Sequence, residues 1–412
     1  MRKPELLVPA SSLEVLKTAV RYGADAVYIG GEAFGLRAKA KNFSLQDMQE
    51  GIRYAHERNV RVYVTANILA HNYDLDGVRE YFRELREIAP DALIISDPGV
   101  YEIARSEVPE IERHISTQAN NTNYGTYLFW YGQGAKRVVS ARELSLREIR
   151  EIRKHIPEDM EIETFVHGAM CISYSGRCLL SNYFTGRDAN HGACTHPCRW
   201  KYALMEESRP GEYLPVIEND RGTFIFNSKD LCMIGHIPDL VESGIDSFKI
   251  EGRMKTALYV AAVARTYRRA IDDYLEDPKL YEDNLPWYRQ EIVKCTTREF
   301  TTGFFYGKPE ADAQIYGEST YHQEAVYLGI AGSLYGEGFF GLEQKNKFTV
   351  GEEIEIMKPD GRNEAATVVR IQDEDGNPQD SAPHARQLLR VMLSKMPETG
   401  DILRRVPSVL HS

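Results

Sequence analysis

Short apolar, often β-branched runs alternate with segments of helical spacing through the first half of the chain. The runs are Leu6–Ala10, Ala26–Gly30, Val60–Thr65, Ala92–Ser96, His114–Gln118, Arg137–Ser140 and Ile162–Val166, with Asp246–Glu251 much later. Their length suits buried parallel strands. The segments between them carry helix-start signals: Ser11-Ser-Leu-Glu14 and Ser145-Leu-Arg-Glu148 are capping boxes, and Ser44-Leu-Gln-Asp47 is a weaker relative. Leu45, Met48, Ile52 and Ala55 recur at three- and four-residue steps, which gives one apolar helix face for a sheet. Eight strand runs alternating with helices predict an α/β fold, a (β/α)8 TIM-like barrel. A doubly wound sheet is the competitor, but no Gly-x-Gly-x-x-Gly turn follows the first run.

The rhythm breaks between the seventh and eighth runs. Residues 169–245 are rich in Gly, Asn and Asp, and in a barrel they would form an insertion on the C-terminal face, where active sites form. A long helix is predicted from Ala257 to about Leu275. From about residue 315 the pattern becomes short strands: Ala325–Gly329, Lys347–Met357, Ala366–Ile371 and Leu388–Leu393. Turn signals at Gly351, Pro359-Asp-Gly361 and Asp375-Gly376 separate them. The expected organisation is a barrel over 1–314 with the insertion at about 169–245, then a small all-β barrel over 315–412.

Composition narrows the class. The 412 residues carry a net charge of −11, which argues against broad non-specific coating of nucleic acid. Local patches remain candidates: Arg37/Lys39/Lys41, Arg265/Arg268/Arg269 and Arg404/Arg405. No run of about 18 apolar residues occurs and the start reads as a strand entry, so a cytoplasmic protein with no membrane span is expected.

Cysteine usage changes the picture most. Four of the six cysteines, Cys171, Cys178, Cys194 and Cys198, fall in one short stretch; Cys232 follows and Cys295 stands apart. In a chain of cytosolic character such a cluster points to metal before disulfides. Soft thiolates suit zinc or an iron–sulfur cluster. Only Cys194/Cys198 has the tight spacing of a zinc pair, and a cubane accepts ligands from a more spread loop. Reduced structural thiols are the third reading.

The string Glu163-x-Phe165-x-x-Gly168-Ala169-Met170-Cys171-x-x-x-x-Gly176-x-Cys178-x-Leu180-Ser181 resembles the signature of peptidase family U32, the collagenase-like proteases, which include prephenate-dependent RNA hydroxylases. Glu5–Ala10, Gly23–Gly31, Ser116-Thr-Gln118, Asn227–Cys232 and Phe248–Arg253 extend the resemblance over nearly the whole chain. It implies hydroxylation of the wobble uridine of tRNA to 5-hydroxyuridine, with prephenate as co-substrate and a 4Fe-4S cluster. It implies Cys171, Cys178, Cys194 and Cys232 as ligands, with Cys198 as the competing thiolate, because some relatives use a cysteine of that pair instead. Cys295 matches no ligand and reads as a packed structural thiol. Expected partners are tRNA and, as in some family members, a paired homologous subunit.

Polar residues at strand ends are where a barrel places its chemistry. Glu251, His167 and Lys249 are the candidate catalytic residues, with Lys249 and Glu251 on one side of their strand by alternation. Arg37, Asn42, Gln118, Asn123 and Arg253 are the candidate substrate-binding residues, with arginine suited to a carboxylate or phosphate. A buried ion pair closing the barrel is the competing role for Lys249. Tyr174, Arg199 and Trp200 could meet a nucleotide, although core packing is the preferred reading for the two aromatics. The alternatives in function are a U32-type peptidase and a non-catalytic RNA-binding protein with structural zinc. Neither His-Glu-x-x-His nor Gly-x-Ser-x-Gly occurs, which leaves Cys171 with His167 as the one protease dyad to test.

Overall fold

All eight apolar runs hydrogen-bond side by side into one closed parallel sheet in the computed structural model, which describes residues 2–31, 43–171, 173–175, 177–200, 203–204, 214–215, 227–295, 299–307, 314–315 and 325–406. The strands are β1 (Glu5–Pro9), β2 (Ala26–Gly30), β3 (Arg61–Ala66), β4 (Ala92–Ile95), β5 (Glu112–Ile115), β6 (Arg137–Val139) and β7 (Glu161–Gly168). A short β8 (Asp230–Cys232) leans antiparallel on the end of β7, and β9 (Ser247–Ile250) pairs with both β7 and β1, which closes the ring. Helices α1 (Leu13–Arg21), α2 (Leu45–His56), α3 (Leu75–Ile88), α4 (Pro98–Glu107), α5 (Tyr124–Gly132) and α6 (Leu146–His155) follow the first six strands in turn. The insertion carries α7 (Leu180–Thr185); α8 (Ile237–Glu242) leads into β9, and α9 (Ala257–Glu276) follows it.

The start signals operate with one shift. Ser145 and Glu148 form the reciprocal capping box of α6, and Ser44 caps α2 with Asp47. At α1 the cap is Ser12 and not Ser11, because the Ser12 hydroxyl accepts from Val15 N at 3.3 Å. The predicted face of α2 is buried at Met48, Ile52 and Ala55, while Leu45 in its first turn stays exposed.

Inside the barrel the lower layers are polar. Arg137 on β6 is 1% exposed and donates to Glu5 on β1 (2.5 Å) and to Glu161 and Glu163 on β7 (2.6 and 3.0 Å). Glu5 also accepts from Tyr63 (2.7 Å), Ser247 (3.0 Å) and Arg61. Burial alone would raise the Glu5 carboxyl, but the Arg137 and Arg61 guanidinium groups overcome it and hold the value at about 2. The apolar layer above consists of Leu7, Ala26, Tyr28, Tyr63, Ala92 and Ile94.

After α9 the chain continues into α10 (Pro278–Val293), which the sequence pattern left unassigned, and β10 (Phe300–Thr301) pairs with β8. The C-terminal unit is an antiparallel barrel of six strands: β11 (Val326–Leu334), β12 (Phe340–Glu343), β13 (Glu353–Met357), β14 (Asn363–Gln372), β15 (Leu388–Leu393) and β16 (Ile402–Arg405). They pair in the ring β13–β16–β11–β12–β15–β14, which β13 and β14 close. The expected basic patches at 265–269 and 404–405 are not open surfaces. Arg265 and Arg404 are buried where the two barrels meet, both on Glu291 of α10, and Asn363 accepts from each. Arg268 pairs with Asp25 and Asp272, Arg269 with Asp273, and Arg405 with Glu352. Residues 37–41 lie outside the described residues. Among the described residues no helix is long and apolar enough to cross a membrane.

Glu5 and Glu291 both sit near 2, against an ordinary carboxyl value of 4.5; for Glu291 burial opposes the shift, and Arg404, Arg265 and Lys294 impose it. A depressed carboxyl stabilises the fold above its unfolded value and loses that contribution as pH falls towards the folded one. The two groups contribute on the order of 3 kcal/mol each at neutral pH. Urea unfolding measured across pH should therefore show a steep loss of stability between about pH 4.5 and 2. A flat profile down to pH 3 would contradict this reading.

Candidate active site at the barrel mouth

A cavity of about 190 Å³ opens at the C-terminal ends of the strands, with the barrel as its floor and the cysteine insertion as its roof. On the floor, Lys249 of β9 donates to Glu163 at 2.7 Å and lies over the Tyr28 and Phe165 rings, 4.6 and 5.4 Å from their centroids. Glu163 is pulled two ways: burial would raise its carboxyl, but Lys249 and Arg137 hold it low. The expected ion pair thus exists, and Lys249 lines the cavity at the same time.

Glu251 and Arg253, just past β9, also line the cavity. Arg253 donates to Thr65 Oγ1 at 2.9 Å, and its guanidinium occupies the space that a side chain on Gly30 would take. Gln118 lies on the floor too, its Oε1 accepting from Asn67 Nδ2 (2.6 Å) and Ser116 Oγ (3.0 Å). Asn123 is elsewhere. It is exposed and caps α5 by accepting from Thr126 N at 3.1 Å, so its polar side chain serves the helix and not the cavity. Arg37 and Asn42 lie outside the described residues.

His167 does not reach the mouth. A bulge in β7 brings Lys249 opposite Phe165 but Ile250 opposite His167, so the inward alternation ends at Phe165. His167 turns instead towards α9 and β10, with the rings of Tyr259, Tyr267 and Phe300 at 6.0, 5.5 and 5.8 Å. Its Nδ1 lies 3.3 Å from Tyr267 Oη, and burial, helped by Lys255, lowers it to about 3. It is therefore neutral at physiological pH and is not paired with Cys171, which removes the protease dyad.

Sequence reasoning missed Arg142, two residues beyond the sixth run. Its Nη1 donates to Ala169 O at 2.5 Å, its Nη2 reaches Glu251 at 3.5 Å, and its guanidinium lies 3.8 Å from the centroid of the Phe165 ring. The side chain is nine-tenths buried, and Nε has no acceptor among the described residues. A buried donor of this kind calls for an acceptor from a ligand or water. With Lys249 and Arg253 it makes three cations around one cavity, against Glu251 and Glu163. That balance favours an anionic ligand.

The roof is tied down at both ends. Asn120, which follows β5 with φ of 54°, donates to Ser175 O (3.0 Å) and accepts from Arg177 Nε (2.8 Å). Across the mouth, Leu69 N donates to Asn190 O (3.3 Å), and His191 Nε2 lies 3.2 Å from Asp74. Tyr174 and Trp200, expected in the core, are each 46% exposed.

None of the six cysteines is joined in a disulfide. Cys171, Cys178, Cys194 and Cys198 border the cavity, whereas Cys295 is buried against Glu291 O. Strand pairing sets Cys232 opposite His167, at the point where the chain leaves β7 for Cys171, and its Sγ lies 4.0 Å from Tyr267 Oη. Among the described residues no three His, Cys, Asp or Glu groups converge on one metal position. The donor set, thiols from a spread loop around a single cavity, fits a soft, multi-atom centre better than one compact ion.

Family models of peptidase family U32 and of its C-terminal domain match residues 11–315 and 323–404. The chain is 42% identical over 406 residues to "tRNA hydroxylation protein P1" of Bacillus subtilis, covering 98% of this chain and 95% of that protein. It is 45% identical over 305 residues to "Uncharacterized protease MJ0090" of Methanocaldococcus jannaschii, covering 73% of each. It is 33% identical over 354 residues to "23S rRNA 5-hydroxycytidine C2501 synthase" of Escherichia coli, covering 86% of this chain and 49% of that protein.

The close fit of Arg253 on Gly30 can be tested directly. A Cβ at Gly30 would come within 2.0 Å of Arg253 Nη2, the movable end of that side chain. Gly30→Ala should leave thermal stability near that of the unmodified protein but weaken calorimetric binding of a small dicarboxylate about tenfold or more, because a charge-assisted hydrogen bond is worth roughly 1.5–3 kcal/mol. Unchanged affinity would contradict the role given to Arg253.

Proposed function

The chain belongs to peptidase family U32, and from that premise we propose that it is an RNA-modifying enzyme that hydroxylates the wobble uridine of tRNA at C5 to give 5-hydroxyuridine. The observation that carries this reading is the cavity itself, which has a cationic barrel floor and a thiol-bearing roof. Two named relatives, one for tRNA and one for ribosomal RNA, support RNA as the substrate class.

In this reading prephenate, a dicarboxylate, is the co-substrate, and Arg142 and Arg253 hold its carboxylates. Glu251, beside Arg142 at the rim of the floor, holds or accepts the proton displaced at the uracil ring. Lys249 keeps Glu163 paired and presents its charge to the same cavity. Phe165 and Tyr28 give the floor apolar faces against which a flat ring can lie.

Cys171, Cys178 and Cys194 hold a 4Fe-4S cluster, which when bound supplies one-electron chemistry. The fourth thiolate is Cys232, next to the start of the roof segment, or Cys198, which borders the cavity. Described residues of this one chain line the cavity. A peptidase reading lacks its Cys171–His167 dyad.

Nucleoside mass spectrometry of tRNA from a strain deleted for this protein should show loss of 5-hydroxyuridine and its derivatives. An unchanged profile in a strain without a second homologue would reject the tRNA assignment. Protein purified without oxygen should be brown and contain iron. Cys171→Ala should lose nearly all of that iron, and a colourless protein carrying one zinc would reject the cluster. Loss of iron in Cys232→Ala with retention in Cys198→Ala assigns the fourth ligand to Cys232, and the reverse assigns it to Cys198.

A further inference from the structure

The outer surface of the cavity roof exposes more aromatic area than packing explains. Tyr183 is 84% exposed, and Phe184 and Trp200 are 44% and 46% exposed. Their rings follow one another at 5.2 Å (Tyr183 to Phe184, edge to face) and 6.1 Å (Phe184 to Trp200, tilted). Where the roof meets the β3–α3 loop there is a second step, with Tyr73 76% exposed and stacked on His71 at 5.3 Å. Exposed rings at this spacing fit flat partners inserted one at a time, as unpaired bases are.

Charge separates RNA from a protein partner. The chain as a whole is at −11, yet residues 171–200 contain three arginines and one aspartate, formally +2. Arg177 and Arg187 within it are exposed. Cations beside exposed aromatic rings complement a strand of phosphates and bases, whereas a two-fold interface between copies would set these same cations against one another. The same roof segment lines the cavity from below with Tyr174 and its thiols, so a loop held on the outside stands next to the opening.

We infer that Tyr183, Phe184 and Trp200 on the roof, with Tyr73 across the mouth, form a stacking platform that binds the unpaired bases of an RNA loop and delivers one of them to the cavity. This deepens the RNA reading of the site and rests on it. The platform recognises single-stranded bases, so a fully paired helix should gain little from it.

The test uses the full-length protein, a stem-loop RNA with an unpaired uridine-containing loop, and a duplex of the same length. Fluorescence anisotropy should show that Tyr183→Ala/Phe184→Ala binds the stem-loop at least tenfold more weakly while duplex binding is unchanged. Tyr183→Phe should restore most of the loss at its position. Circular dichroism and iron content equal to the unmodified protein would show that the fold and roof are intact. Equal stem-loop affinity in the double variant overturns the platform, and so does equal affinity accompanied by loss of self-association in sedimentation, which would make the patch an interface between copies. Failure of the unmodified protein to bind the stem-loop overturns the RNA reading itself and is thereby distinguished from failure of the platform.

Discussion

Arg137 has almost no access to water, yet it carries a full charge through the centre of the barrel. Burying such a group without partners would cost several kcal/mol, so the fold has to bring carboxylates to it. They come from β1 and β7, as Glu5, Glu161 and Glu163, and Ser247 of the closing strand β9 joins through Glu5. The network therefore forms only when the first and last strands of the barrel meet. Glu163 carries it upward, since its second oxygen holds Lys249, and Lys249 belongs to the floor of the cavity. Barrel closure and site geometry depend on the same set of charges.

Above that layer the site is built from strand ends and one insertion. The bulge in β7 keeps Phe165 inside and turns His167 out against α9, where burial leaves it neutral. The roof is fastened to the loops after β3 and β5, which sets the thiols over three cations. Soft ligands above and anion-binding groups below suit a redox centre working on an anionic co-substrate, and this is why the RNA hydroxylation reading fits better than hydrolysis. The dyad that the sequence offered a peptidase, Cys171 with His167, does not form; the Cys–His contact at the cavity is Cys194 Sγ with His196 Nδ1, at 3.9 Å.

Much of this was legible from local pattern. Parallel strands buried on both faces read as continuous apolar runs, so all eight barrel strands stood out, as did the capping serines of α2 and α6. The thiols of the roof were visible through their spacing. What local pattern could not carry was the destination of charged side chains. Arg265 and Arg404 look like solvated or nucleic-acid-facing arginines until α10 brings Glu291 between them. Strand β16 was hidden for the same reason, because a buried Arg404 breaks the apolar alternation of Ile402–Arg405. Strand β12 is only four residues long, with Phe340 and Leu342 inward, too short for a period to show. His167 was misplaced because a single bulge reverses facing, and no residue in β7 announces it. Arg142 was overlooked because it lies three residues past its strand; the signal available was its position just beyond the sixth run.

The central claim is that the thiol roof and the cationic floor act as one site. The most direct measurement is mass spectrometry of tRNA from the deletion strain expressing either the unmodified protein or Arg142→Gln, where the cell supplies prephenate, the oxygen source and the oxidant. The account predicts that uridine gains one oxygen atom with the unmodified protein, and that Arg142→Gln keeps its iron but loses most of that product. Full oxygen gain by Arg142→Gln at unchanged prephenate affinity would place the chemistry elsewhere and contradict the account.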